Sequence, residues 1–224
     1  MATTVAATGT PAAGDSSFLE RVTAWVNAHR QATVYTMAAL VLGAGLFWWN
    51  LLSTRRSESI ARDQLLQARA AFESKNYPLA ASELARVAEN YSGTSAAEEG
   101  TLLLAHVRLL QGQAQQAIAA LKDFAPAAST NYRSQAFGLL GAAYENVGRP
   151  REAAEAYQAA VEAAGMEFLK AQFLSDAGRA YLAAGDTTRA FQAYRRIVSD
   201  FDKSGPVQEA RVRIGELTRG AGSQ

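Results

Sequence analysis

Few side chains in this sequence are of the types that catalyse reactions or bind metals. The chain holds two histidines, His29 and His106, and no cysteine. The histidines are too isolated from each other for a metal pair or for the base of a catalytic triad. Without cysteine there is no disulfide, no thiolate nucleophile and no thiolate metal site. We therefore expect no metal and no cofactor.

The remaining candidates for chemistry are paired acids. Glu98 and Glu99 are adjacent, and Glu152 and Glu155 are spaced as neighbours on a helix surface, where solvated pairs are far commoner than catalytic ones. The sequence contains no HExxH motif for zinc, no Walker A motif for phosphate and no GxGxxG motif for a dinucleotide. It also contains no GxSxG motif, which would carry a nucleophilic serine. The sequence predicts that this protein is not an enzyme and has no small-molecule substrate.

Composition narrows the class of partner. The 224 residues are 49% hydrophobic and 19% charged, which is typical of a chain that folds. From Ser57 to the end, 18 basic residues face 19 acidic ones. Nucleic-acid-binding domains carry a clear basic surplus, so we expect no nucleic-acid partner.

One segment has the length and composition of a membrane span. Residues 33–52, TVYTMAALVLGAGLFWWNLL, contain no charge, carry Trp48 and Trp49 near their end, and are followed by Arg55 and Arg56. Twenty helical residues cross a bilayer core, and tryptophan favours the headgroup region. We predict a transmembrane helix that contacts lipid at 33–52. A buried core helix and a cleaved signal peptide are the alternatives, but the long preceding tail and the tryptophans favour a retained anchor.

The residues before the span divide into two parts. Residues 1–16 are mostly small, with Asp15 the one charged side chain among them, which predicts a disordered tail. Residues 17–32 carry apolar side chains at helical spacing and predict a short amphipathic helix, which either lies on the bilayer surface or forms the first turns of the span. Basic residues flanking the span weakly favour a cytoplasmic C-terminal side; they are Arg21 and Arg30 before it, and Arg55, Arg56 and Arg62 after it.

The rest of the chain repeats one pattern four times. A small residue is followed by an alanine 12 positions later and a bulky residue 16 positions later, and the small residues lie 37, 36 and 37 positions apart. Such a period indicates stacked units that bury their apolar faces against one another. The four sets are Ala68, Ala80 and Leu84; Ala105, Ala117 and Leu121; Gly141, Ala153 and Tyr157; and Gly178, Ala190 and Tyr194.

Helix signals divide each repeat into a pair of helices. We predict an all-α solenoid over 57–219, in which the small residues let the two helices of a pair approach closely and the tyrosines fill the core. Glycine or proline marks the turns, and Asp186 is a candidate helix cap. The predicted pairs are 57–74 with 77–91, 95–111 with 114–124, 132–147 with 151–164, and 167–184 with 187–201, followed by a capping helix at 207–218.

The pattern resembles tetratricopeptide repeats. The third repeat, GLLGAAYENVGRPREAAEAYQAAVE, carries Gly141, Tyr144, Gly148, Ala153 and Tyr157 at the positions that the family uses. The fourth repeat is similar, whereas the first two have lost the family's tyrosine. This resemblance implies a protein-binding scaffold.

The order of segments resembles a narrower family. An amphipathic segment, one span ending in FWWN and degenerate repeats to the C-terminus are similar to the YfgM-like ancillary subunits of the bacterial Sec translocon. That resemblance implies a cytoplasmic N-terminus, an inner-membrane anchor and periplasmic repeats, which is the opposite of the weak charge bias. It also implies partners such as the translocon, a membrane-anchored chaperone or unfolded exported polypeptides.

The first helix of each pair is expected to line a concave groove, which is our candidate protein-binding site. It lacks the Lys and Asn set that clamps a peptide carboxylate in some tetratricopeptide domains, so we expect unfolded segments or one defined partner. An alternative is a cell-envelope structural or division-associated protein that self-associates through its repeats. The predicted groove residues are Arg62, Leu65, Arg69, Phe72, Glu99, Leu102, His106, Gln135, Glu145, Gln172 and Arg179.

Overall fold

A computed structural model describes Arg21, Ala24, Trp25 and residues 28–221. These residues form nine long helices and no strand. The predicted tail at 1–16 and most of the predicted amphipathic helix at 17–32 lie outside the described residues. The chain divides into two compact units, residues 1–54 and residues 55–224.

The nine helices follow one another with short turns, as an antiparallel repeat array requires. Their bounds are α1 Arg30–Glu73, α2 Tyr77–Asn90, α3 Ser95–Leu110, α4 Ala114–Ala127, α5 Thr130–Asn146, α6 Pro150–Ala163, α7 Glu167–Ala183, α8 Thr187–Asp200 and α9 Val207–Ala221. The predicted all-helical solenoid of helix pairs is therefore confirmed.

Two helix ends differ from those predicted. The predicted span at 33–52 and the first repeat helix predicted from 57 belong to one helix, and residues 53–56 between them contain neither glycine nor proline. Helix α4 was expected to end at 124, yet it continues to Ala127 with Pro126 inside it. A proline in the last turn removes one N–H bond but leaves the preceding turns intact.

The turns within each pair use left-handed backbone, as the glycines predicted. Gly112, Gly148 and Gly185 have φ of 73°, 70° and 78°, and Lys75 has φ 60° at the equivalent position of the first pair. Asp186 caps α8, because its carboxylate accepts a hydrogen bond from the N–H of Arg189 at 2.9 Å.

The second unit buries its apolar residues in a core that runs along the array. Successive helices pack on each other from α2 to α9, and α3 also packs on α5. The repeated alanines are fully buried, and Tyr144, Tyr157, Tyr181 and Tyr194 are 9% exposed or less. The predicted role of these tyrosines as core residues is confirmed. The array thereby presents its first helices, α1, α3, α5 and α7, side by side.

The first unit contains the apolar part of α1. From Met37 onward this helix is long and apolar enough to cross a membrane. Its most apolar stretch of 18 residues has a mean hydropathy of 1.4, and none of that stretch is buried. Its apolar side chains are exposed, among them Leu40, Leu46, Phe47 and Trp49.

Candidate protein-binding site

The first helices of three successive pairs line one open cavity of 370 Å³. Six of the eleven residues predicted for the groove lie in its wall, so the first-helix face that the repeat pattern predicted does form a concave surface there. The six are Arg69 and Phe72 from α1, Glu99, Leu102 and His106 from α3, and Gln135 from α5. We call this space the inner cavity.

The wall of the inner cavity is largely apolar. Leu102 is buried and Phe72 is partly buried, and Leu103 and Leu139 add two further partly buried leucines. The ring of Phe72 meets the imidazole of His106 at 5.8 Å between centroids, tilted by 54°. Because these side chains are held by the core beneath them, the cavity is shaped before any partner arrives.

The polar groups at the cavity are partly matched within the chain. The guanidinium of Arg69 pairs with the carboxylate of Glu99, which joins α1 to α3. Glu73, also in the wall, is exposed, and no ion pair or hydrogen bond involves its side chain among the described residues. The cavity therefore combines an apolar wall with little unpaired charge.

A second group of predicted residues forms a separate polar cluster between α5 and α7. Arg179 donates to Glu145 and to Asp176, both at 3.1 Å, and Gln172 donates to Asp176 at 3.4 Å. Tyr157 donates its hydroxyl to Glu145 at 2.7 Å. We call these five residues the α5–α7 polar cluster.

Burial shapes the protonation of this cluster. It raises the pKa of the Asp176 carboxyl, although the neighbouring guanidinium of Arg179 opposes the shift. Burial, together with the hydrogen bond to Glu145, also raises the pKa of the Tyr157 phenol. The groups satisfy one another, so the cluster connects the third pair to the fourth.

The last two predicted groove residues lie elsewhere. Arg62 is exposed and pairs with Glu58 at 2.9 Å, one turn away on α1. Leu65 is 5% exposed and belongs to the core, because it faces the second pair rather than solvent. The prediction that Leu65 lines the groove is wrong for that reason.

Three cavity residues, Glu73, Leu103 and Leu139, were missed. The leucines share one place in the repeat, two residues before the small residue, which is occupied by Leu66 in the first repeat and Asp176 in the fourth. The repeat register was therefore a signal from which the two leucines could have been predicted. Glu73 lies in the last turn of α1, one residue beyond Phe72, the last groove residue predicted on that helix.

Within the described residues, no group of three or more His, Cys, Asp or Glu side chains is placed to hold a metal ion. What the inner cavity offers is contact area and hydrogen-bonding groups on a rigid helical frame. A stack of helix pairs that presents such a face defines a helical repeat scaffold for protein–protein interaction.

The chain belongs to the family of tetratricopeptide repeat-like domains, whose model matches residues 50–175. A tetratricopeptide repeat model matches residues 174–204, which cover the later part of α7 and all of α8 in the fourth pair. The resemblance seen in the sequence is thus confirmed at the level of the repeat family. No curated protein sequence matches the chain.

Solved structures share the fold. MamA is 21% identical with a TM-score of 0.57, over 69% of this chain and 84% of that one. The nearly identical TPR-like repeats of a Podosopora anserina protein named as a kinesin light chain are 19% identical with a TM-score of 0.59, over 75% and 89%. A tetratricopeptide repeat protein from Parabacteroides merdae ATCC 43184 is 12% identical with a TM-score of 0.59, over 71% and 60%. At these identities the likeness concerns the fold alone.

Proposed function

We propose that this protein is a single-pass membrane-anchored scaffold that holds segments of other proteins in its inner cavity. The observation that carries this proposal is the cavity itself. It is lined by the first helices of three successive pairs, on a chain whose repeats are of a protein-binding family. Because tetratricopeptide repeats are typically interaction scaffolds, the proposed action of the site is binding and not turnover.

The apolar segment of α1 supports the anchor. Its most apolar window has none of its surface buried, so in water it would expose far more apolar area than a soluble helix normally shows. A bilayer removes that penalty, and the 20 residues at 33–52 match the thickness of its hydrocarbon core. The protein is thus held at the membrane by residues 33–52.

We further propose that the protein is an accessory, chaperone-like factor of the Sec translocon in the bacterial inner membrane, with its repeats in the periplasm. The support is the order of segments that resembles the YfgM-like family, together with a cavity that suits apolar side chains. Polypeptides that leave a translocon have not yet folded and expose such side chains. A binding site tethered beside the exit would meet them first.

Orientation is tested by protease treatment of spheroplasts. We expect residues 57–219 to be digested without membrane disruption, because the repeats face the periplasm. Digestion that requires opening of the cytoplasmic side would overturn the periplasmic placement.

Partner binding is tested with a photo-crosslinking amino acid at Gln135 in the cavity wall, in membranes that carry a translocation-stalled chain. The matched control is Gln115, which is exposed on the second helix α4. Crosslinks to the stalled chain or to translocon subunits from position 135 and not from 115 support the proposal. Crosslinks only between copies of this protein favour a self-associating envelope protein instead.

A further inference from the structure

The first-helix face, which is formed by α1, α3, α5 and α7 and which we also call the inner face, carries a row of leucines that stops at the fourth pair. The position two residues before each small residue is Leu66 in α1, Leu103 in α3, Leu139 in α5 and Asp176 in α7. Leu66 is 60% exposed, and the other two leucines are partly exposed in the inner cavity. Because equivalent positions of stacked repeats lie in line, the three leucines form an apolar row along the first-helix face.

Two arginines beside this row are already paired, whereas Glu73 in the cavity wall is not paired within the described residues. Arg69 pairs with Glu99 next to the cavity, and Arg62 pairs with Glu58 on α1. A partner with several charges would find only Glu73 free to pair in the described cavity wall, and would otherwise have to break such pairs or leave a charge desolvated, both of which are unfavourable. The favourable contribution comes from removing apolar surface from water.

The row ends where the face becomes polar. In α7 the leucine position is occupied by Asp176, which is bound to Arg179 and Gln172 within the α5–α7 polar cluster. An apolar ligand side chain placed there would desolvate these groups without replacing their hydrogen bonds. The usable length is therefore the width of three neighbouring helices, roughly 20 Å.

We propose that the inner face binds an uncharged, apolar stretch of unfolded polypeptide, about six residues in extended form, laid across Leu66, Leu103 and Leu139. This inference rests on the proposed function and specifies the chemistry of its client. Segments of this kind are buried in folded proteins, so the site discriminates unfolded from folded chains. Neither a charged peptide nor a free peptide carboxylate is its ligand.

The test uses the full-length protein in detergent micelles and fluorescent peptides of about ten residues that differ only in three central positions, Leu in one and Ser in the other. We expect the Leu peptide to bind at least about tenfold more tightly, and its affinity to change less than about threefold between roughly 0.05 and 0.5 M NaCl. Equal affinities, or an affinity that collapses at high salt, would overturn the proposal.

Variants locate the contact. Leu139→Asp is expected to lower the affinity for the Leu peptide at least about tenfold. Leu66→Asp, at a position outside the cavity wall, is expected to lower this affinity about threefold or more. Gln135→Trp fills the cavity from an exposed position without adding charge, and it should weaken binding as Leu139→Asp does. Leu79→Asp on α2, 46% exposed, is the control and should bind as wild type. Wild-type affinity in both Leu139→Asp and Gln135→Trp would exclude the cavity as the binding site.

The two proposals fail separately. Crosslinks to a stalled chain together with equal affinities for the Leu and Ser peptides would support the scaffold function and contradict the proposal that the leucine row binds apolar segments. A clear preference for Leu without any crosslink to translocating chains would support the binding chemistry and remove the translocon role.

Discussion

The ring of Tyr157 lies directly against the backbone of Gly141, one helix earlier in the same pair. A Cβ atom on Gly141 would come within 2.7 Å of Cδ1 and Cε1 of that ring. Gly178 and Tyr194 repeat this relationship, with a closest approach of 2.7 Å. In the first two pairs the same positions hold Ala with Leu. A smaller side chain on one helix is thus compensated by a larger side chain on the other, which keeps the two helices closely packed.

We predict that Gly141→Ala destabilises the repeat domain by about 1–2 kcal/mol, even though Ala is a better helix former by about 1 kcal/mol. The Tyr157 ring has no room to withdraw, because it is 4% exposed and its hydroxyl is bonded to Glu145. Chemical denaturation followed by circular dichroism measures the change. Gly215→Ala in α9 is the control, since no atom lies within 4 Å of a Cβ there, and it should be neutral or stabilising.

The same contact predicts a rescue. Gly141→Ala combined with Tyr157→Leu recreates the Ala and Leu combination of the first two pairs. The double variant should therefore be more stable, by about 1–2 kcal/mol, than the sum of the single changes predicts. Strict additivity of the two changes would show that the ring and the glycine are not energetically coupled.

We predict that Lys75→Gly stabilises the protein by about 1 kcal/mol. Lys75 has φ 60° at the turn position where the later pairs have glycine, and a side chain in that left-handed region is strained. Thermal unfolding measures the change. Lys122→Gly, in the interior of α4, should instead destabilise by about 1 kcal/mol because glycine is a poor helix former. An unchanged or lower melting temperature in Lys75→Gly contradicts the strain argument.

Glu98 connects the second pair to the third, and we predict that Glu98→Ala destabilises the protein by about 1–2 kcal/mol. Its carboxylate accepts from the N–H and the hydroxyl of Ser129, at 2.7 and 2.6 Å, and Ser129 is the cap residue of α5. Urea unfolding checks this value. Glu83→Ala, which removes an exposed one-turn pair with Arg86, should change stability by less than about 0.5 kcal/mol. Similar losses in both variants would remove the special role of Glu98.

The helical array could be predicted from the sequence, because the spacing of the small residues follows from the close packing of the helix backbones. Small residues at Ala68, Ala105, Gly141 and Gly178 are required wherever two helices approach closely, so their spacing reports the repeat directly. The end of α4 could not be predicted, because Pro126 is a strong helix breaker in general but is tolerated in a last turn.

The candidate site was only partly predictable. Its location follows from the repeat, whereas the ion pairs that its charged residues form depend on which neighbouring helix each side chain contacts. Arg69 and Arg179 occupy equivalent positions in the sequence and were expected to act alike. Arg69 reaches forward to Glu99 of the next pair, whereas Arg179 reaches back to Glu145 of the preceding one. One arginine therefore borders the inner cavity and the other belongs to the α5–α7 polar cluster.

The polar cluster predicts a pH-dependent effect of Arg179→Ala. Because burial raises the pKa of Asp176 above its ordinary value of 3.8, the folded state holds that proton more tightly than the unfolded state. The resulting contribution to stability is complete below that value and is lost as the pH rises through the raised folded pKa. Without Arg179 the ionised carboxylate has no counter-charge, so the variant should lose about 1 kcal/mol at neutral pH and little at about pH 3.

Asp176→Asn provides the matched comparison, since it removes the titrating group. Its stability relative to wild type should improve as the pH rises from about 3 to 7, opposite to Arg179→Ala. Urea unfolding at several pH values measures both curves. Parallel curves for the two variants would show that Asp176 does not carry the pH dependence.

The two equivalent arginines should also differ in ligand binding, and Arg69→Glu tests this most directly. The substitution replaces an ion pair at the inner cavity with a carboxylate that faces Glu99 and has Glu73 nearby, so the rim acquires uncompensated negative charge. We expect the variant to bind an apolar peptide flanked by lysines at least about threefold more tightly than wild type at low salt, with the gain lost at high salt. Arg179→Glu should leave peptide affinity unchanged because Arg179 does not line the cavity, although it lowers stability. Fluorescence anisotropy with both variants separates the cases, and an equal loss of affinity in both would mean that the ligand spans the whole first-helix face rather than the three pairs that form the cavity.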